Sequence, residues 1–82
     1  STAEQFQQHV LPTYGRFALV PERGEGCHLW DADGKHYYDF CTGIAVCSLG
    51  HCHPRLVEAI REQAGKLIHC SNLYQIPLQA EL

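Results

Sequence analysis

Gly43-Ile-Ala-Val-Cys-Ser-Leu-Gly-His-Cys-His-Pro54 divides a chain with strand character from a chain with helix character. Ile44 to Cys47 is an unbroken apolar run flanked by Gly43 and Gly50. A half-wet strand would alternate and a helix would be longer, so the run predicts a buried connecting segment. Pro54 suits the first position of a helix, where a missing N–H is no loss, and it biases His53 toward an extended conformation. Glycines on both sides of an apolar segment predict a backbone that comes close to a ligand, a partner chain or another strand.

Beyond this stretch, Leu56, Val57, Ile60, Ala64, Leu67 and Ile68 recur at helical spacing, so Pro54 to about Ile68 is predicted to be an amphipathic helix. Glu62 precedes Lys66 by one helical turn, and Lys66 sits near the negative end of the helix dipole. His69 to Pro77 has no period and reads as a loop, and Pro77 to Leu82 reads as the start of another helix.

Before the stretch, Cys27-His-Leu-Trp30 and His36-Tyr-Tyr-Asp-Phe40 read as two short strands around the turn Asp31-Ala-Asp-Gly34. Both faces of that hairpin carry aromatic residues, and such a ribbon is not stable by itself, so further protein must lie against it. Phe17 to Val20 reads as a strand limited by Pro21, and Glu22 to Gly26 as a turn. Thr2 with Gln5 has the form of a capping box, and Phe6 and Val10 share a face of a short helix that ends before Pro12. Two helical turns do not persist alone in water, so this helix must dock. Pro12-Thr-Tyr-Gly-Arg16 is irregular chain displaying Tyr14 and Arg16. These either bind a ligand or, in the plainer alternative, pack a ring on the core and solvate a cation.

The 82 residues suffice for one small domain, marginal in isolation. A formal net charge of -3 without clustered Lys or Arg argues against a nucleic-acid partner. No apolar run approaches the roughly 18 residues of a membrane helix, and the polar start lacks signal-peptide character, so no membrane partner and a cytoplasmic location are expected. The five cysteines form an odd set in apolar surroundings and read as reduced, mostly packed thiols. Cys41, Cys47, His51, Cys52 and His53 lie close in sequence, yet no C-x-x-C pair is present, so no metal is expected. His51 and His53 flank Cys52, but sequence neighbours seldom meet as a base and nucleophile, and packed or capping histidines are expected. Neither a G-x-G-x-x-G nor a P-loop occurs. On its residues alone the chain holds no complete active site.

An ordered set of motifs carries a resemblance. Pro12-Thr-Tyr-Gly-Arg16, Arg23-Gly-Glu-Gly26, Leu29-Trp-Asp31, Asp33-Gly34, Tyr38-Asp-Phe40, Gly43-Ile-Ala-Val46, Leu49-Gly-His51, His53-Pro54 and Ser71-Asn-Leu-Tyr74 resemble the N-terminal region of class III pyridoxal-phosphate aminotransferases. The resemblance implies an α+β fragment (N-terminal helix, small antiparallel sheet, amphipathic helix) of a fold type I enzyme. Residues 1–82 would be the N-terminal part of the small domain and the start of the connection to a large cofactor domain that this chain lacks. It further implies a cytoplasmic homodimer that moves an amino group from a small-molecule donor to 2-oxoglutarate. Pyridoxal 5'-phosphate would belong to the full-length enzyme and not bind this chain alone, because the family needs a Schiff-base lysine and a phosphate loop. Lys35 and Lys66 match neither position nor context, so no catalytic residue is expected here.

The same resemblance assigns substrate-binding roles to Tyr14, through its hydroxyl, to Ile44, which shapes the pocket, and to Gly43 and Ala45, which let the substrate approach the backbone. The ornithine branch carries a tyrosine at the Ile44 position, so isoleucine fits the acetylornithine or 4-aminobutyrate branches better, with succinylornithine not separated. Arg16 fits the Tyr-x-Arg wording of the acetylornithine branch. Asn72 and Tyr74 match a loop at the dimer edge that reaches cofactor or substrate. A rival of another class is a non-catalytic module that binds a partner, or itself, through exposed apolar faces.

Overall fold

The computed structural model describes residues 1–82. Three strands, β1 (Pro21–Glu25), β2 (His28–Asp31) and β3 (His36–Tyr38), pair antiparallel in the order β1-β2-β3. The β2–β3 turn forms where the sequence placed it. Asp31 Oδ1 accepts the Asp33 and Lys35 N–H groups at 3.0 and 2.8 Å, the Asp31 carbonyl accepts Gly34 N–H at 3.0 Å, and Gly34 takes φ 81°. Opposite residues put His28, Trp30, His36 and Tyr38 on one face, where the Arg23 guanidinium lies 3.8 Å from the Trp30 ring centroid. Leu29 opposes Tyr37 on the other face.

Two expectations fail at the first strand. Phe17 to Val20 is not a strand, and Phe17 is 93% exposed. The segment read as a turn, Glu22 to Gly26, instead supplies most of β1. Its side chains are polar and its register slips between Pro21 and Arg23, so no alternation marks it, and the pairing is carried by the backbone with Pro21 at the strand's first position.

Four helices complete the chain: α1 (Thr2–His9), α2 (Thr42–Ala45), α3 (Pro54–Ala64) and α4 (Pro77–Glu81). The capping box of α1 is formed by Ser1 and Glu4, one residue before the predicted pair. In α3, Pro54 takes the first turn and His53 Nδ1 accepts Arg55 N–H at 3.2 Å, so His53 is a capping histidine. That helix stops at Ala64 rather than near Ile68, because Gly65 bonds back to Glu62 O at 3.2 Å and interrupts the ladder.

No residue is buried, and the chain exposes 7758 Å². A compact protein of this mass exposes about 4,900 Å². The radius of gyration is 17.1 Å, against about 12 Å for a compact domain of equal length. None of the helices contacts the sheet or another helix. The predicted burial of Ile44 to Cys47 is therefore corrected: Ile44 is 87% and Val46 74% exposed, since nothing within these residues packs on them. The unsatisfied apolar faces are what an α+β piece of a larger fold presents.

Candidate functional site

Thr42, Gly43, Ile44 and Ala45 take φ values of 53, 67, 61 and 63°, so α2 is a left-handed turn. The flanking Cys41 and Val46 return to right-handed geometry. The turn closes through Ala45 N–H to Cys41 O at 3.1 Å and Val46 N–H to Thr42 O at 2.8 Å. Only Gly43 adopts this geometry freely; each L-residue held there costs about 1–2 kcal/mol, and a β-branched Thr or Ile is an outlier. Strain of this kind persists only where neighbours over-determine it, and it gathers at ligand sites. The sequence marked Gly43, Ile44 and Ala45 as candidates, and the structure unites them in this one turn.

Asp39 holds the turn, a role that the sequence reading missed. Its N–H donates to Cys27 O at 2.8 Å, fixing the residue to the end of the sheet. Oδ1 accepts the N–H groups of Cys41 and Thr42, both at 2.9 Å, at the turn's entrance. Oδ2 lies 2.5 Å from His51 Nε2. The Thr42 N–H and then the His51 ring hold the Asp39 carboxyl below the usual carboxylate range, against the opposing effect of desolvation. An ionised carboxylate only accepts, which assigns the shared proton to His51 Nε2. His51 is in turn fixed by paired bonds with Gly26, Gly26 N–H to His51 O at 3.0 Å and His51 N–H to Gly26 O at 2.8 Å. The signal available beforehand was the spacing of Asp39 two residues before Cys41, which suits a side chain capping a turn.

Tyr14 lies on the loop after α1, 76% exposed, with the Arg16 guanidinium 5.7 Å from its ring centroid and 5.2 Å from that of Phe6. Arg16 thus ties the loop to α1 through two aromatic faces. Asn72 lines a shallow depression of about 190 Å³ between the end of α3 and the start of α4, together with Ser71 and His69. Tyr74 faces a separate, more open hollow beside Pro77. The Asn72–Tyr74 loop is shaped by Ser71, which takes φ 80° and accepts Leu73 N–H on Oγ at 3.3 Å. The candidate residues therefore fall on three separate segments.

All five cysteines are free; Cys27, Cys41 and Cys52 are exposed, so the packed thiols expected from sequence reduce to the half-buried Cys47 and Cys70. No group of three or more His, Cys, Asp or Glu is arranged to hold a metal ion. The Lys35 amine lies over the Tyr37 ring, 5.3 Å from its centroid, and Tyr37 donates to Asp31 Oδ2 at 3.0 Å.

The backbone fold is shared with known proteins. The backbone superimposes on the acetylornithine aminotransferase of Elizabethkingia anophelis with a TM-score of 0.93 at 38% identity, covering 98% of this chain and 20% of that one. It superimposes on the taurine:2-oxoglutarate aminotransferase of Bifidobacterium kashiwanohense, solved in complex with PLP and glutamate, with a TM-score of 0.86 at 25% identity, covering 98% of this chain and 19% of that one. The fold is thus an α+β portion of the fold type I pyridoxal-phosphate transferases. In sequence, the acetylornithine aminotransferase of Nostoc sp. is 56% identical over 81 residues, 99% of this chain and 19% of the relative. The family description "Aminotransferase class-III" matches residues 10–82, and the chain belongs to that family. It spans about a fifth of the length of the relatives it matches.

Proposed function

We propose that this chain is the N-terminal segment of an acetylornithine aminotransferase. That enzyme transfers an amino group between N2-acetyl-L-ornithine and 2-oxoglutarate in arginine biosynthesis, as a cytoplasmic homodimer. The observation that carries the reading is the strained turn Thr42–Ala45. It presents Ile44 outward on a backbone that a sheet-anchored carboxylate keeps rigid, in a chain 56% identical to an acetylornithine aminotransferase. An exposed isoleucine on a rigid turn is a wall for an apolar stretch of substrate, and Gly43 beside it lets a ligand approach the main chain.

The residues of this chain do not by themselves fit pyridoxal 5'-phosphate. Lys35 is engaged over Tyr37 in the hairpin, and the Asp31 carboxylate is taken up by the turn. When bound by the full enzyme, the cofactor supplies an electron sink. The work of these residues is recognition. The Tyr14 hydroxyl offers one hydrogen bond to the amino-acid end of the donor, with Arg16 steadying its ring. Ile44 shapes the donor pocket, Gly43 and Ala45 let the donor approach the backbone, and Asn72 and Tyr74 approach the cofactor or substrate from the dimer edge.

The test is the donor preference of the full-length enzyme. Higher kcat/KM for acetylornithine than for ornithine, 4-aminobutyrate or succinylornithine is the expected result. A preference for 4-aminobutyrate or succinylornithine would move the assignment to another branch of the same class. Absence of transamination with cofactor present would favour the rival reading, an interaction module built on the exposed apolar surface.

A further inference from the structure

We propose that Asp39 and His51 form a positioning clamp that sets the donor specificity of the Thr42–Ala45 turn. This rests on the reading above that the turn lines the donor pocket.

The clamp is a continuous series of contacts. Gly24 receives His51 so closely that a Cβ there would lie 2.8 Å from His51 Cβ. Gly26 and His51 exchange both backbone hydrogen bonds, which fixes the ring's origin. The ring reaches Asp39 Oδ2, and the other carboxylate oxygen receives Cys41 and Thr42 N–H. Thr42 is itself the first of the left-handed residues, which run on to Ala45.

The surroundings set this pair apart from an ordinary surface ion pair. Their side chains are 8% and 20% exposed, Asp39 the lower, in a chain where no residue as a whole is buried. Thr42, Cys47 and Gly50, within the same loop, are also half-buried, while Ile44 and Val46 at its tip stand in solvent. The loop from Asp39 to His51 is thus closed at its base by the two side chains and open at its tip. Loops with clamped ends and displayed tips commonly carry function.

The geometry specifies what the clamp does. A left-handed turn and its right-handed mirror project Cβ in different directions, and three L-residues here favour the right-handed form. Two N–H groups aimed at one fixed oxygen bias the first residues toward the observed form. Without that oxygen the turn relaxes, and the Ile44 side chain leaves its place on the pocket wall. Asp39 touches neither donor nor reacting atoms; it acts through the turn.

A fault in folding alone would lower the activity toward every donor in proportion, whereas a displaced pocket wall changes their ratio. In the full-length holoenzyme, Asp39→Ala should change the kcat/KM ratio of acetylornithine to ornithine by about tenfold or more, the range set by small misfits in a pocket. Asp39→Asn keeps an oxygen for the two N–H groups, and its amide can donate to the neutral His51 ring, so the ratio should return to within about threefold of the parent. Where Asp39→Ala fails to fold, His51→Ala, which removes the ring from Asp39 Oδ2 and leaves the backbone pairing with Gly26, should change the ratio in the same direction, and an unchanged ratio there overturns the proposal.

Amide hydrogen exchange in the same proteins reads the clamp directly. Asp39→Ala should accelerate exchange across residues 41–47 by about tenfold or more while the β2 peptide keeps its protection. A ratio unchanged while both kcat/KM values fall together, or unchanged exchange at residues 41–47, overturns the proposal. Should the unaltered enzyme act on neither donor, the functional reading fails; slow exchange in the parent and fast exchange in Asp39→Ala would then support the clamp on its own, and equal exchange would overturn it.

Discussion

Gly24 and His51 meet without room for a methyl group between them: a Cβ on Gly24 would stand 2.8 Å from both Cβ and Cγ of the histidine. Cβ is the root of the side chain and cannot swing aside without moving the backbone paired to Gly26, and turning Cγ away would take the ring off Asp39. Gly24→Ala should therefore destabilise the junction by about 1–3 kcal/mol, the usual cost of overpacking. Gly26 has open space around it but a φ of 58°, so Gly26→Ala should cost only the left-handed penalty of about 1–2 kcal/mol. Amide exchange of β1 and of His51 in the full-length protein distinguishes the two. Gly24→Ala should also loosen residues 41–47 through Asp39, whereas Gly26→Ala should leave the histidine ring in place.

Ala45 offers the converse test, because it sits at φ 63° with a side chain that gains nothing from the conformation. Ala45→Gly removes about 1–2 kcal/mol of strain and returns about 0.5–1 kcal/mol through a freer unfolded chain. A net stabilisation of about 0.5–1 kcal/mol should follow, visible as slower exchange of the Val46 and Cys47 amides. Val46→Gly, at φ -85° one residue on, should be destabilising. Equal effects at the two positions would argue that the turn is right-handed in solution.

The sequence was informative wherever a local rule acts alone. The stop of α3 at Gly65 was hidden by apolar spacing that runs on to Ile68, but Asp31 and Gly34 define their turn by side-chain acceptance and a positive φ, and Pro54 opens α3, so these are legible from residue types. Pro21 to Glu25 was not, because an edge strand with polar side chains and a bulge has no period to detect. The left-handed turn was half legible: Gly43 and Gly50 marked a close backbone approach, but Thr42 and Ile44 prefer the opposite hand, and Thr42 is held in this one by Asp39. Asp39 and His51 are twelve residues apart, and no local rule links them. The apolar run Ile44 to Cys47 reads as buried because apolar runs usually are; its exposure reflects a surface that these residues do not cover themselves.

Acid should release the clamp in a defined direction. The folded-state pKa of Asp39 is lowered from 3.8 by the Thr42 N–H first and His51 second. A lowered carboxylate pKa contributes stability that is complete above the unfolded value and fades as pH falls through the folded one. The clamp should accordingly be intact at neutral pH and lost on acidification below about 4. Exchange of the 41–47 peptide, corrected for the intrinsic pH dependence of amide exchange, should rise in that window in the parent. Asp39→Asn carries no charge to lose and should remove that rise. Asp31, also lowered through the Lys35 N–H, the Tyr37 hydroxyl and the Asp33 N–H despite larger opposing desolvation, should loosen the β2–β3 turn in the same range. The two events should be separable by peptide.

Ile44 is where a single substitution should redirect the proposed enzyme. Its side chain is 87% exposed at the tip of the turn, so a larger group can be placed there without displacing anything within this chain. Ile44→Tyr keeps a bulky side chain at the same positive φ and adds little new backbone strain. It does narrow the pocket wall and introduce a hydroxyl that prefers a polar or charged partner. The free α-amino group of ornithine would gain that partner, while the N2-acetyl group that replaces it in acetylornithine would lose volume. The ratio of kcat/KM for ornithine over acetylornithine should rise by about ten- to a hundredfold, the range open to changes of this size in a pocket. The melting temperature and cofactor content of the full-length enzyme should stay close to the parent's. If the ratio stays within about threefold while the protein keeps its cofactor, Ile44 does not line the donor site, and the turn's strain needs another explanation.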